Sequence, residues 1–507
     1  MSVAGRPLPA QASDSSTSPS SVDYDLPTLH SHQTLSNLKE PEQDTAPGAA
    51  SGSSPDEGDE ATACSDRRSS QATRIDELQE KESKGGCDEE KGTPSSSSSP
   101  PPAVAFPDGG FRAWSVVAGA WCISFTSWGV VNSFGVFQTY YQANQLSSYS
   151  RSEISWIGSV QLSMVLGCAI FAGKFFDAGY IKYLLVISLA IYIAGMFGFS
   201  EANSYYSIFL GQGLACGLAG GIAFTPSASC ISHWFKYKRA RAMGILATGS
   251  SVGGMIYPAM LNHLFPRIGF GWTVRAVAFL TIALAAIAAI TIDSRLPPRP
   301  IPSLRHFVDF SPLREKPFLL LTMGCTFVMW GLYFGYFYIQ NYALANGVPR
   351  SLADYSLTIL NAASIIGRVG AGFVADKCGC LATLGPLCAA SGVLVFLFLP
   401  MCKSSGGLIA WCLLFGCSSG AYVSMMPSTT ASISKDMTQI GHRMATACLI
   451  IAIAGLTGNP ICGAIIAAQG GSYTGAVAFS GVTVLVGSGF IAASWRVISR
   501  ERGTWRV

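Results

Sequence analysis

Gly173-Lys-Phe-Phe-Asp177-Ala-Gly179 closes one long apolar run, and Gly372-Phe-Val-Ala-Asp376-Lys377-Cys-Gly379 closes another. Each puts an aspartate four residues after a glycine, where apolar sequence gives way to polar, and the two aspartates stand 199 residues apart. Working outward, that offset returns. Pro226 and Pro427 interrupt runs 201 apart, Arg241 and Arg443 open runs 202 apart, and Pro258 and Pro460 follow inside those runs, again 202 apart. Four landmarks in register mark a duplication. The apolar runs number twelve, at roughly 112–137, 154–175, 183–199, 205–231, 240–262, 272–292, 317–342, 352–375, 381–401, 406–432, 444–468 and 474–495. About 20 mostly apolar residues cross a bilayer, and membrane helices tolerate the interspersed Gly and Pro. The expectation is an all-α membrane protein of twelve transmembrane helices in two six-helix bundles, 107–292 and 317–496, joined by a loop at 293–316.

Composition agrees. Of 507 residues, 49 % are hydrophobic and 12 % charged, against about 25 % charged in ordinary soluble proteins. The charges are also segregated. Residues 1–110 hold 8 Lys and Arg against 19 Asp and Glu, whereas residues 111–507 hold 25 against 10. The stretch 1–106 reads as an acidic disordered tail, with Ser96–Ser99 and Pro100–Pro102 as low-complexity runs and too little apolar area to offset ordering entropy. Its first 30 residues show no signal-peptide core. It serves either as a solvated tether or as a regulatory segment for kinases and the ubiquitin machinery. With this tail in the cytosol, inner loops and the end 497–507 carry 18 Lys and Arg and outer loops carry 4. The excess expects both termini to be cytosolic, in a multi-pass protein of the plasma membrane or an internal one. The 15 cysteines include no CxxC pair and read as small apolar packing groups. No metal, cofactor or nucleic-acid partner is expected; the partners are the bilayer and a small solute.

Two further segments carry chemistry. Pro107-Asp108-Gly109-Gly110-Phe111-Arg112-Ala113-Trp114 leads into the first run. Trp234-Phe235-Lys236-Tyr237-Lys238-Arg239-Ala240-Arg241-Ala242-Met243-Gly244 leads into the fifth, continuing to Gly249, Ser250, Gly253 and Gly254. Gly249 and Gly253 form a small-xxx-small face for close helix approach. Asp108, near the start of the first helix, suits that helix's positive end. The two Gly-x-x-x-Asp segments resemble the cytoplasmic-loop motif of the major facilitator superfamily, and these two segments together resemble the signatures of its monocarboxylate porter family, fungal members in particular. The likeness covers 107–496. It implies two parallel six-helix halves about an axis along the membrane normal, alternating access, and a latch in which Asp177, Asp376 with Lys377, Arg239 and Arg443 hold the bundles together. The same segments can instead act in packing and capping.

One charge stands apart. Arg368 lies eight residues before Asp376, about 12 Å along a helix, too deep to reach an interface easily. No Asp or Glu lies deep in any run. A charge inside the membrane is costly and marks a functional position by default. A ligand carboxylate could match the guanidinium bidentately; backbone carbonyls or water could satisfy it instead. The resemblance implies a span-8 arginine preceded by an aspartate four residues earlier and a span-1 lysine. Here Arg368 is kept, while Ser364 and Val131 occupy the other two places. Proton-linked uptake is therefore not implied. The expected substrate-binding residues are Arg368, Ser364, Asn361, Asn132, Ser133, Trp330, Tyr333, Phe337 and Tyr422, around a cavity lined chiefly by spans 1, 4, 7 and 10. About half of the span-7 aromatics are expected merely to pack or face lipid.

The leading expectation is a secondary transporter of a small organic carboxylate. The alternative is a facilitator or efflux carrier for a ring-bearing solute such as riboflavin or a fungal secondary metabolite. A non-transporting sensor and a membrane enzyme are weaker readings. The runs carry no catalytic pair, and the chain has no G-x-x-x-x-G-K-[ST] loop for ATP.

Overall fold

The computed structural model describes residues 108–235, 238–295, 310–434 and 440–506. The chain divides into Met1–Pro100 and Pro101–Val507. The first unit, and with it the tail expectation, lies outside the described residues.

Within the second unit the helices are α1 Phe111–Ala143, α2 Arg151–Asp177, α3 Ile181–Ser200, α4 Tyr205–Trp234, α7 Lys316–Ala345, α8 Arg350–Cys378, α9 Cys380–Phe396, α10 Ser405–Ile433, α11 Ile440–Ala468 and α12 Thr474–Arg502. Between α4 and α7 runs one helix, Arg239–Thr291, bent where Gly269 adopts φ 74 and ψ 176. Its arms are α5 (239–268) and α6 (270–291). Ten of these helices, the bent one counted once, are long and apolar enough to cross a membrane. Counting its two arms and the shorter α9 gives twelve passes among the described residues.

Local chemistry sets the ends. Ser150 and Glu153 form a reciprocal cap that opens α2, and Ser204 and Ser404 cap α4 and α10, satisfying amides that a helix start leaves open. Gly379, at φ 97, turns the chain from α8 into α9. The first helix runs past the expected 137 to Ala143, with a step at Ser133. Its extra turn carries Gln138 and Tyr141, both fully buried, so tertiary burial lengthens a helix whose polar residues seemed to end it. The expected ninth span stops at Phe396, and a separate turn covers Phe398–Met401.

The halves meet along three contacts: α2 on α11, α5 on α8, and the end of α1 on α7. Under the duplication, α2 corresponds to α8 and α5 to α11, so the first two contacts are one contact made twice. The far end, opposite the start of α1 and the end of α12, is closed chiefly by amides and hydroxyls. Ser155 pairs with Tyr338 at 2.7 Å, Asn341 donates to Gln142 at 3.0 Å, and Asn262 donates to the Asp354 carbonyl at 2.6 Å. Gln340 donates to Asn262 Oδ1 at 3.3 Å, and Arg151 donates to the Tyr473 hydroxyl at 3.0 Å. Burial raises the Tyr473 phenol above its ordinary range, while Arg151 pulls it the other way, so the hydroxyl keeps its proton at neutral pH.

Candidate substrate site

At mid-level the seam is polar. Arg368 is 5 % exposed. Its Nε donates to Ser364 Oγ at 3.1 Å, one turn back on α8, and its Nη1 donates to the Ala247 carbonyl at 2.8 Å and to Ser250 Oγ, both on α5. Ser251 donates to Ser364 at 3.4 Å, and Asn132 reaches Asn361 at 3.5 Å from α1. Tyr336 and Tyr333 of α7 lie within electrostatic reach of the guanidinium. The Tyr336 hydroxyl pairs with Ser419 of α10 at 3.2 Å, and the Phe337 ring lies 4.8 Å from Phe134 of α1. Two serine hydroxyls and a backbone carbonyl thus hold one cation, and among the described residues none of its hydrogen bonds goes to a carboxylate.

From the expected set the structure therefore gathers Arg368, Ser364 and Tyr333, with Asn361 and Asn132 meeting two turns along the seam and Phe337 packed on Phe134. It leaves out the others. The Ser133 hydroxyl bonds its own helix at Gly129. Three residues along α7 turn a side chain by about 60°, and Trp330 is turned to α11, where it donates to Thr457 at 2.7 Å. Tyr422 donates to the Cys325 carbonyl at 2.8 Å inside the second bundle. Span 4 was expected to line the site; instead α5 supplies Ala247, Ser250 and Ser251. The Ser-Ser pair beside Gly249 was visible in sequence but read as packing. Another signal that sequence missed is Gln161 of α2, fully buried, with neither amide atom hydrogen-bonded. Its Cα would lie 2.9 Å from a Cβ at Gly217 of α4.

The motif residues build the terminal end. The Asp108 amide donates to the Trp234 carbonyl at 3.1 Å, and the Lys238 amide donates to the Asp108 carboxylate at 3.3 Å. Lys238 caps the helix that begins at Arg239, so Asp108 serves the positive end of α5 rather than that of α1. Sequence proximity to α1 concealed this, because the two motif segments meet only in the fold. Gly109 carries the chain past this contact, Gly110 at φ 87 opens α1, and Trp114 packs on Phe235 at 5.1 Å. Gly249 sits against Trp121 and Ser124 of α1, whereas Gly244 has open space beside it. The Arg239 side chain lies outside what is described.

Of the residues expected in a latch between bundles, Arg443 is held by a carboxylate of its own bundle. Asp376 and Lys377 are exposed, and among the described residues no hydrogen bond or ion pair holds Asp376. Asp177 is also exposed but is not without a partner. Arg443 pairs with Glu315 through both Nη atoms, at 3.0 and 2.5 Å. Arg443 opens α11 beside the first turn of α7, so Glu315 is the carboxylate within its reach.

Comparison with known proteins matches this arrangement. The family model described as Major Facilitator Superfamily matches residues 116–447, and the chain belongs to that family. It is 38 % identical to MFS transporter asaE of Aspergillus flavus over 76 % of this chain and 87 % of that protein. It is 40 % identical to MFS-type transporter 1 of Ophiocordyceps sp., over 76 % and 85 %. It is 37 % identical to the fujikurins efflux protein of Gibberella fujikuroi, over 78 % and 85 %. The crystal structure of a POT family transporter in complex with 5-aminolevulinic acid superposes with a TM-score of 0.63 at 13 % identity, covering 76 % of this chain and 98 % of that one. That likeness is one of fold.

Proposed function

We propose that the chain exports a ring-bearing organic metabolite that carries an acidic group, with both termini in the cytosol and Arg368 receiving the acid. The observation that carries the reading is the guanidinium buried at the seam between bundles and bonded only to two hydroxyls and a carbonyl. Tyr333 and Tyr336 supply rings near it, and aromatic pairs favour offset or edge-on contact with a flat solute. The name of the fujikurins relative favours metabolite efflux over uptake of a small monocarboxylate, the direction that the motif likeness alone suggested. The Lys and Arg excess on the loops of the terminal end supports the orientation.

The test is efflux from yeast cells expressing the chain and loaded with a panel of aromatic acids, their methyl esters and small monocarboxylates. The reading requires faster efflux of ring-bearing acids than of their esters. Equal handling of acids and esters would remove the anion site; selective movement of small monocarboxylates would restore the carboxylate-uptake reading.

A further inference from the structure

Resting on that reading, we infer that Arg368 is also the clasp that ties substrate binding to separation of the bundles. Arg368 belongs to the second bundle, and the acceptors of its Nη1, the Ala247 carbonyl and the Ser250 hydroxyl, belong to the first. Both protons of Nη1 are engaged across the seam. A carboxylate grips a guanidinium through two parallel N–H bonds. The end-on fork, Nη1 with Nη2, therefore becomes available only when a bond to α5 breaks. The side-on fork, Nε with Nη2, is held by Ser364 on the same helix, and its release would leave the bundles joined.

Substrate on the end-on fork and the α5 clasp exclude one another. Binding thus exchanges an inter-bundle bond for a bond to cargo. A ligand shifts a conformational equilibrium only by its differential affinity for the two states, and this exchange is such a difference. Ser250 is a positioning residue here: it holds the guanidinium against α5 and competes with the anion.

The experiment uses the full chain in lipid nanodiscs, first without solute. Ser250→Ala should raise amide hydrogen exchange at the far-end segments 143–151 and 345–350 by about fivefold, as expected for losing one hydrogen bond. Ser250→Thr keeps the hydroxyl and should match wild type. In transport, Ser250→Ala should tighten apparent affinity for an acidic solute while Arg368→Gln abolishes it. Unchanged exchange in Ser250→Ala overturns the clasp, as does weakened affinity in that variant. Tighter affinity in Ser364→Ala, with Ser250→Ala inert, would also overturn it by assigning the side-on fork. The exchange readout needs no solute, so it stands even where no acid in the panel is moved, a result that would strike the proposed function alone.

Discussion

Arg443 and Arg368 are both buried arginines, yet the chain treats them differently. Arg443 is 2 % exposed and grips a carboxylate with both prongs; Arg368 grips neutral groups. Removing one partner of a buried pair leaves the other charge uncompensated. Glu315→Gln is therefore expected to cost about 2 kcal/mol, the scale of a charge-assisted hydrogen bond, and to lower the unfolding temperature of the purified protein. Unchanged melting would show that water already satisfies Arg443. For Arg368 the loss should appear in transport. Arg368→Gln should weaken apparent affinity for an acidic solute by more than about 2 kcal/mol and change little for its methyl ester. Arg368→Lys keeps the charge without the planar fork and should also be strongly impaired. Arg368 was legible in sequence because charge accounting isolates it. Its partners were not, since Ser250 and Ala247 lie in another half of the chain and carry no charge.

Among the elements, α5 packs closely on α1. A Cβ at Gly253 would lie 2.9 Å from Gly129 Cα and 3.2 Å from the Phe125 carbonyl carbon, so α1 and α5 touch backbone to backbone. Gly253→Ala should destabilise the protein by about 1–3 kcal/mol through overpacking, and Gly253→Val should reduce surface expression further; immunoblotting of surface-labelled protein would check both. At the other end of the arm, Gly269 holds a backbone conformation that L-residues rarely adopt. Gly269→Ala is expected to cost about 1–3 kcal/mol, read as a lower melting temperature. Helix number and the division into two bundles were legible from apolar run length and the repeated offset. The continuous bend was not: residues 262–272 include Asn262, His263, Pro266 and Arg267 and read as a loop, although packing keeps them helical up to the glycine. The extra turn of α1 escaped for the same reason, since Gln138 and Tyr141 look like surface residues until Ser155 and Gln212 of neighbouring helices meet them.

At the scale of the molecule, the duplication explains why two contacts suffice to describe the seam, and that was readable from four landmarks alone. The far-end closure was not readable. Its residues are single amides and hydroxyls scattered through apolar runs, and they form a pattern only once α2, α5, α7 and α8 are brought together. The acidic stretch preceding Pro107 lies outside the described residues. Truncation before Pro107 should leave transport per surface molecule unchanged; an equal collapse of the per-molecule rate would assign it a part in the cycle.

The far-end seam has a further consequence. Among the described residues no ion pair crosses it: Arg151 meets a phenol, and Asp354 meets the first bundle through its backbone carbonyl. Mobile ions weaken attraction between exposed opposite charges over about 8 Å at physiological ionic strength, but they have little hold on an amide–amide or hydroxyl–hydroxyl bond. In the orientation proposed above, a closure of this kind would respond little to the salt of the medium it faces. That tolerance would suit a cell whose surroundings swing in salt, and it would separate this seam from any closure built of ion pairs.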